Sequence, residues 1–139
     1  MPTPLRVLFV CQHNSARSQM AEGMLRAWGG DRFEAYSAGT EATAVRPEAV
    51  TVMDELGIDL RGHESKTVER YLGQSWEALI PVCEEACEAC PWIPGARRVE
   101  RWMFDDPAVV TGDETTRLAE FRRIRDEIAV AVRDLIARS

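Results

Sequence analysis

Cys11-Gln12-His13-Asn14-Ser15-Ala16-Arg17-Ser18 is a Cys-x5-Arg-Ser run, and it carries the chemistry most open to argument in this chain. A loop of this kind, folded over a helix N-terminus, aims successive backbone N–H groups at one point. The helix dipole adds about half a positive charge, so a tetrahedral oxyanion fits there. Arg17 can grip such an anion with its two-pronged guanidinium. The same field stabilises a thiolate, and the Ser18 hydroxyl can hydrogen-bond its sulfur, so Cys11 is expected to be a nucleophile at neutral pH. Asn14 suits a left-handed loop conformation and has an amide that can tie the loop together. His13 is expected to shape the loop or face solvent rather than act as a base. Read in isolation, the run also describes a buried strand-end cysteine beside a surface arginine, so the flanking elements must decide.

Displacing an oxygen from a tetrahedral oxyanion leaves a poor leaving group, which a general acid has to protonate within hydrogen-bond reach. Asp106 is the candidate, because Pro107 biases the residue before it away from helix and into an extended loop conformation. Asp105 is its neighbour, and an Asp-Asp-Pro taken alone describes a solvated turn. The other three cysteines are Cys83, Cys87 and Cys90. A cytosolic chain with an adequate core has no need of structural disulfides, which leaves reactive or metal-binding thiols. Cys83-x3-Cys87-x2-Cys90 could hold a soft ion, and Cys-x2-Cys is a spacing zinc sites use. No second Cys/His cluster completes a structural zinc site, and such a module would leave the Cys11 loop unexplained. No metal site is therefore assigned.

The elements that must position these groups can be read from periodicity. Residues 5–10 are a β-branched and aromatic run bounded by Pro4 and the polar loop, which reads as a buried first strand leading straight into Cys11. From Ser18, Met20, Ala21, Met24, Leu25 and Trp28 repeat at helical spacing until Gly29-Gly30 stops the helix. The loop thus lies between a strand's carboxyl end and a helix start, where open α/β sheets bind ligands. Residues 33–37 read as a second strand ending at Gly39, and Pro47 opens a helix closed by Gly57. Residues 76–82 carry a third strand that Pro81 must end or push to an edge, and residues 99–104 a fourth. Residues 116–137 form an amphipathic C-terminal helix. Strands alternating with helices predict an α/β fold in a single domain over residues 1–139, its parallel sheet covered on both faces.

The chain has 139 residues and a formal net charge of −6, with a pI near 5.0. That charge excludes the broad basic footprint of a nucleic-acid binder or a polybasic membrane anchor, so any anion site is local. The longest apolar run, residues 7–11, is too short for a membrane span or a signal-peptide core, and a cytoplasmic protein is expected. All but one of the 17 basic residues are arginine, the exception being Lys66.

The stretch Val7-Leu8-Phe9-Val10-Cys11 through Arg17-Ser18-Gln19-Met20-Ala21-Glu22 resembles the phosphate-loop signature of arsenate reductases built on the low-molecular-weight protein tyrosine phosphatase fold. Tyr36-Ser37-Ala38-Gly39-Thr40 resembles that family's second strand, Gly57-Ile58-Asp59-Leu60 and His63-Glu64-Ser65-Lys66 its middle segment, and Phe104-Asp105-Asp106-Pro107-Ala108 its acid loop. The resemblance covers residues 5 to 136. It implies a four-stranded parallel sheet flanked by helices on both faces, and an anion loop made by Gln12, His13, Asn14, Ser15, Ala16, Arg17 and Ser18. It also places the acid at Asp106. Arsenate to arsenite takes two electrons, which thiols supply by becoming a disulfide. Cys83 and Cys90 match the two positions used by the thioredoxin-coupled branch. The resemblance implies that Cys11 attacks arsenate, Cys83 attacks the Cys11 sulfur as arsenite leaves, and Cys90 attacks Cys83, giving a Cys83–Cys90 disulfide for thioredoxin. On an intact helix those two residues stand about 10 Å apart along the axis, beyond disulfide reach, so residues 83–91 must unwind. Cys87 lies outside the pattern and stays open as a bystander, an alternative resolving thiol or an off-pathway trap.

Arsenate, with phosphate and sulfate as competing anions, and thioredoxin are thus the expected partners of a monomer with no bound cofactor. In some relatives Asn14, Glu22 and Ser37 correspond to residues near a potassium ion, together with an acid where this chain has Lys66. A fixed ammonium there would repel the cation, so activity independent of potassium is expected. The alternative enzyme is a tyrosine phosphatase of the same fold. That family has an aromatic residue directly after its Asp-Pro, whereas Ala108-Val109-Val110 follows here; weak hydrolysis of small aryl phosphates is still expected. A branch using a low-molecular-weight thiol and a glutaredoxin-like partner has no need of the later cysteine pair. His63 and Trp102 have no role legible in the sequence, and Trp76, Trp92 and Trp102 read as core or partner-facing aromatics.

Overall fold

The computed structural model describes residues 3–84 and 94–139. The first strand, β1, is Leu5–Cys11, and the helix that follows it, α1, is Arg17–Gly29. The helix ends where Gly30 takes φ +59°, a left-handed value open to a residue without a Cβ. Then come β2, Phe33–Gly39, and α2, Pro47–Asp54, which has its proline in the first turn, where the missing N–H leaves no bond unmade. β3 is Trp76–Pro81, β4 is Ala96–Val99, and the long C-terminal helix, α3, is Glu114–Ala137. Asp113 caps α3 by accepting the Thr116 N–H at 2.9 Å.

All four strands are parallel, in the order β2-β1-β3-β4. The chain leaves β1 for one neighbour and later returns to the other side, so the order reverses at β1 and β3. Crevices for ligands form outside the carboxyl ends of strands at such a reversal. Cys11, the last residue of β1, stands at that point. Val7, Leu8, Phe9 and Val10 are all at most 1% exposed although successive side chains face opposite sides of the sheet, so both faces of β1 are covered.

The core joins these strands to Met20, Met24 and Leu25 of α1 and to Phe121, Ile124, Ile128, Val132 and Leu135 of α3. Each such buried side chain contributes about 1.5–3 kcal/mol. Helices α1 and α2 both pack on α3. The approach of α1 to the chain after α2 is close: a Cβ on Gly23 would meet Leu60 at 3.0 Å and Ile58 at 3.2 Å. No described helix is long and apolar enough to cross a membrane.

The fourth strand is displaced from its expected place at residues 99–104. Regular pairing with β3 runs over Ala96–Val99, and beyond it Glu100, Trp102 and Phe104 donate to the carbonyls of Leu79, Pro81 and Val82 at 3.0, 2.9 and 3.4 Å. Pro81 has no N–H to return, so a regular two-way ladder cannot continue past it. This one-sided attachment carries the chain to Asp106. Of the predicted aromatics, Trp76 is buried and Trp102 packs against Phe9. Cys87, Cys90, Trp92 and the unwinding expected in residues 83–91 beyond Glu84 lie outside the described residues.

Candidate active site

The side chains of the loop divide into a layer that faces a cleft and a layer that holds the loop from behind. Cys11, His13, Ser15, Ala16 and Arg17 line an open cleft of about 300 Å³, joined there by Asp106. Asn14 and Ser18 are completely buried and do not line it, and neither does Gln12. The cleft lies at the N-terminus of α1, which has no side-chain cap and no acidic residue in its first turn. Such an end presents unpaired N–H groups and the positive end of the helix dipole.

Asn14 is the post on which the loop is hung. Its φ of +50° is the left-handed value expected of it and the only positive φ outside glycine among the described residues. The amide nitrogen donates to Ser18 Oγ at 2.8 Å and to Ser37 Oγ at 3.0 Å. The amide oxygen accepts from Gln19 Nε2 at 2.9 Å and from the Lys66 backbone N–H at 2.8 Å. Two donors and two lone pairs are thereby all used. The Asn14 backbone N–H points at Cys11 Sγ, 3.2 Å away, and Ser18 Oγ lies 2.8 Å from the same sulfur. Two polar groups of the loop thus address the sulfur directly.

Arg17 reaches across to the acid loop. Nη1 donates to the Phe104 carbonyl at 3.0 Å, and Nη2 stands 3.7 Å from Asp106 Oδ2. Asp106 has the extended backbone expected before a proline, φ −79° and ψ 110°, and its Oδ1 accepts the Ala108 N–H at 2.9 Å. Asp105 is turned outward, 3.4 Å from Arg123. Only Asp106 of the pair faces the cleft.

Behind the loop lies a buried ionic network anchored on Glu22. Its carboxylate accepts from Ser37 Oγ at 2.7 Å and has Arg26 at 3.4 Å, His63 Nδ1 at 3.3 Å and Lys66 Nζ at 3.8 Å. Burial pushes both His63 and Lys66 toward their neutral forms, with the Glu22 charge opposing the shift. Asn14, Glu22 and Ser37 do meet, as the resemblance implies, but so does an ammonium. The Glu22 carboxylate is thus already faced by three cationic or proton-carrying side chains.

Several residues that hold the site have no role legible in the sequence. Gln19, fully buried on α1, donates to Asn14 and to the Glu64 carbonyl, and its Oε1 lies 3.1 Å from His63 Nδ1. Ser65 donates to the His13 carbonyl at 2.8 Å. His13 itself stands 3.4 Å from Glu41 at the rim. Arg46 also lines the cleft, and it was unremarkable in the sequence because only through-space contact brings it there.

Cys83 is 1% exposed and follows β3 by two residues. Pro81 pairs with Val10, and Val82 donates to the Val10 carbonyl at 2.8 Å, so Cys83 leaves the sheet at the same end and on the strand adjacent to Cys11. Among the described residues no group of His, Cys, Asp and Glu could hold a metal ion.

A family model described as low molecular weight phosphotyrosine protein phosphatase matches residues 6–138. An arsenate reductase of Halalkalibacterium halodurans is 41% identical over 127 residues, 91% of each chain. One from Bacillus subtilis is 40% identical over 122 residues, 88% of each chain. Among solved structures, an arsenate reductase in the phosphate binding state superposes with a TM-score of 0.84 at 32% identity, covering 96% of this chain and 98% of the other.

Proposed function

The chain belongs to the low molecular weight phosphotyrosine protein phosphatase family, alongside its arsenate reductases, and from that premise we propose that it reduces arsenate to arsenite with electrons drawn from thioredoxin. The observation that carries this reading is the position of the two buried cysteines, Cys11 and Cys83, at the carboxyl ends of adjacent strands. A phosphatase needs only the first.

In this mechanism the oxyanion sits on the loop N–H groups with Arg17 gripping two of its oxygens. The Cys11 thiolate attacks arsenic, and the departing oxygen takes a proton from Asp106 and leaves as water. Cys83 as thiolate then attacks the Cys11 sulfur. The S–As bond breaks with its electron pair going to arsenic, so arsenic(V) becomes arsenic(III) and the two sulfurs become a disulfide. Cys90 attacks Cys83 and releases Cys11, and the Cys83–Cys90 disulfide is reduced by a dithiol of thioredoxin. Exchange of this kind needs a reducing compartment, and a cytoplasmic monomer is part of the proposal. Lys66 takes the place of a potassium ion beside Glu22.

The phosphatase alternative shares the loop and the acid. Among the described residues no aromatic side chain lines the cleft, and Ala108 and Val109 stand where a phosphotyrosine ring would need a wall. Slow hydrolysis of small aryl phosphates follows from the shared loop.

A single turnover tests the proposal. Reduced protein given one equivalent of arsenate is expected to yield one arsenite and lose two thiols, with the final bond mapped by peptide mass to Cys83 and Cys90. Formation of arsenite without loss of thiols, or no arsenite at all, contradicts it.

A further inference from the structure

The cleft contains a second guanidinium that the mechanism above leaves unused. Arg46 is the residue just before α2, and its backbone N–H donates to the Ser15 carbonyl at 2.8 Å, which locks its position to the loop. Its side chain lines the same cleft as Cys11 and Arg17. Nη2 stands 3.5 Å from Glu48 Oε2, an acid that also holds Arg117 at 3.6 Å. Nε is shielded from solvent and has no hydrogen-bond partner among the described residues. Apart from the Nη2 contact with Glu48, the guanidinium has no acidic partner among the described residues, so its donors are open to a ligand in the cleft.

Arg17 divides its donors between the Phe104 carbonyl and Asp106, so part of its binding capacity is committed to positioning the acid loop. A tetrahedral oxyanion held by the loop has an outer oxygen directed toward the cleft mouth. We propose that Arg46 is a second oxyanion-binding residue, whose guanidinium donates to that outer oxygen. Glu48 restrains the far end of the same guanidinium, so the donor is pre-set before the anion arrives. The role rests on the oxyanion chemistry proposed for Cys11 and adds to it a determinant of substrate affinity.

Arg46→Met and Arg46→Lys, each with an unchanged circular dichroism spectrum, separate the possibilities. Titration of the reduced protein with inorganic phosphate reads binding with no turnover. Arg46→Met is expected to weaken phosphate about tenfold, the size of one charge-assisted hydrogen bond, and to raise KM for arsenate by the same factor with kcat within about twofold. Arg46→Lys keeps the charge but not the forked guanidinium donors, and is expected to weaken phosphate at least about threefold. Phosphate affinity within about twofold of the parent in either folded variant, or a fall in kcat at unchanged KM, overturns the proposal; if the methionine variant does not fold, the lysine variant decides alone. Because phosphate binding is independent of reduction, a protein that fails to reduce arsenate but loses phosphate with Arg46 refutes only the reductase reading.

Discussion

Asn14 Nδ2 lies 2.8 Å from Ser18 Oγ, and this one contact fixes how the serine serves the cysteine. An amide nitrogen can only donate, so Ser18 Oγ is the acceptor and its own proton is free to point at Cys11 Sγ, 2.8 Å away. The orientation of the Asn14 amide is itself set, because its oxygen faces two N–H donors, on Gln19 and the Lys66 backbone. The nucleophile is thus organised by a relay that starts with Lys66, 52 positions beyond Asn14.

Replacing Asn14 tests that relay. Asn14→Ala leaves buried donors unpaired and puts a Cβ-bearing residue without a polar anchor at φ +50°, so stability is expected to fall by roughly 2–4 kcal/mol. Asn14→Gly removes the amide but relieves the backbone, and about 1 kcal/mol of the loss should return. In both, the rate of Cys11 alkylation by iodoacetamide at pH 6 should drop about tenfold, as it should in Ser18→Ala. Alkylation at the parent protein's rate in all three variants would contradict the account.

Gly39 pairs with Cys11 across the β1–β2 register and leaves no room for a side chain. A Cβ there would meet the Gln12 carbonyl and the Asn14 nitrogen at 2.8 Å and the Glu41 carbonyl at 2.6 Å, all of them backbone atoms. Gly39→Ala is expected to destabilise the fold by about 1–3 kcal/mol and to cut phosphate affinity, because the loop must shift to accommodate it. Thermal unfolding and phosphate titration of the folded fraction check both.

In the proposed reading Lys66 stands in for a potassium ion beside Glu22. Arsenate turnover is expected to be equal in potassium and sodium at the same ionic strength. Lys66→Asp should both lower activity and introduce a potassium dependence, because a carboxylate replaces the ammonium beside Glu22. A clear potassium stimulation of the parent protein would show that the ammonium does not occupy the cation's place.

Glu55, just after α2, takes hydrogen bonds from Arg122 and Arg125 of α3, and the Arg122 guanidinium is the largest influence holding its carboxyl down at about 2, against an ordinary 4.5. A carboxyl lowered in the folded state stabilises fully above its unfolded value and loses that contribution as the pH falls from about 4.5 toward 2. The group is well exposed, so solvent screening keeps the contribution to about 1 kcal/mol. Glu55→Gln is expected to flatten that part of the acid limb of a denaturation curve while leaving pH 7 activity unchanged.

The sequence made the first half of the fold legible because its signals are local. A β-branched run, a helical period and Gly29-Gly30 place β1, the loop and α1, and the left-handed turn at Asn14 follows from the residue itself. Residues 99–104 read as a strand because their pattern is extended, and they do run alongside β3. What the pattern could not show is that Pro81, on the partner strand, leaves that pairing one-sided. Gln19, His63 and Arg46 were silent for a related reason. Each acquires its place only when segments distant in the chain converge, and none carries a spacing that marks it. Asp106 was distinguishable from Asp105 through Pro107, and their opposite orientations follow from it.

In the proposed relay, oxidation leaves Cys11 through Cys83 and Cys90. Its most direct test is arsenate-dependent NADPH oxidation with thioredoxin and thioredoxin reductase, run beside hydrolysis of para-nitrophenyl phosphate on the same preparation. Robust NADPH turnover, abolished in Cys83→Ser and in Cys90→Ser while both variants keep the slow hydrolysis, is the predicted result. Strong hydrolysis with no arsenate-dependent NADPH consumption would contradict the claim and make the protein a phosphatase.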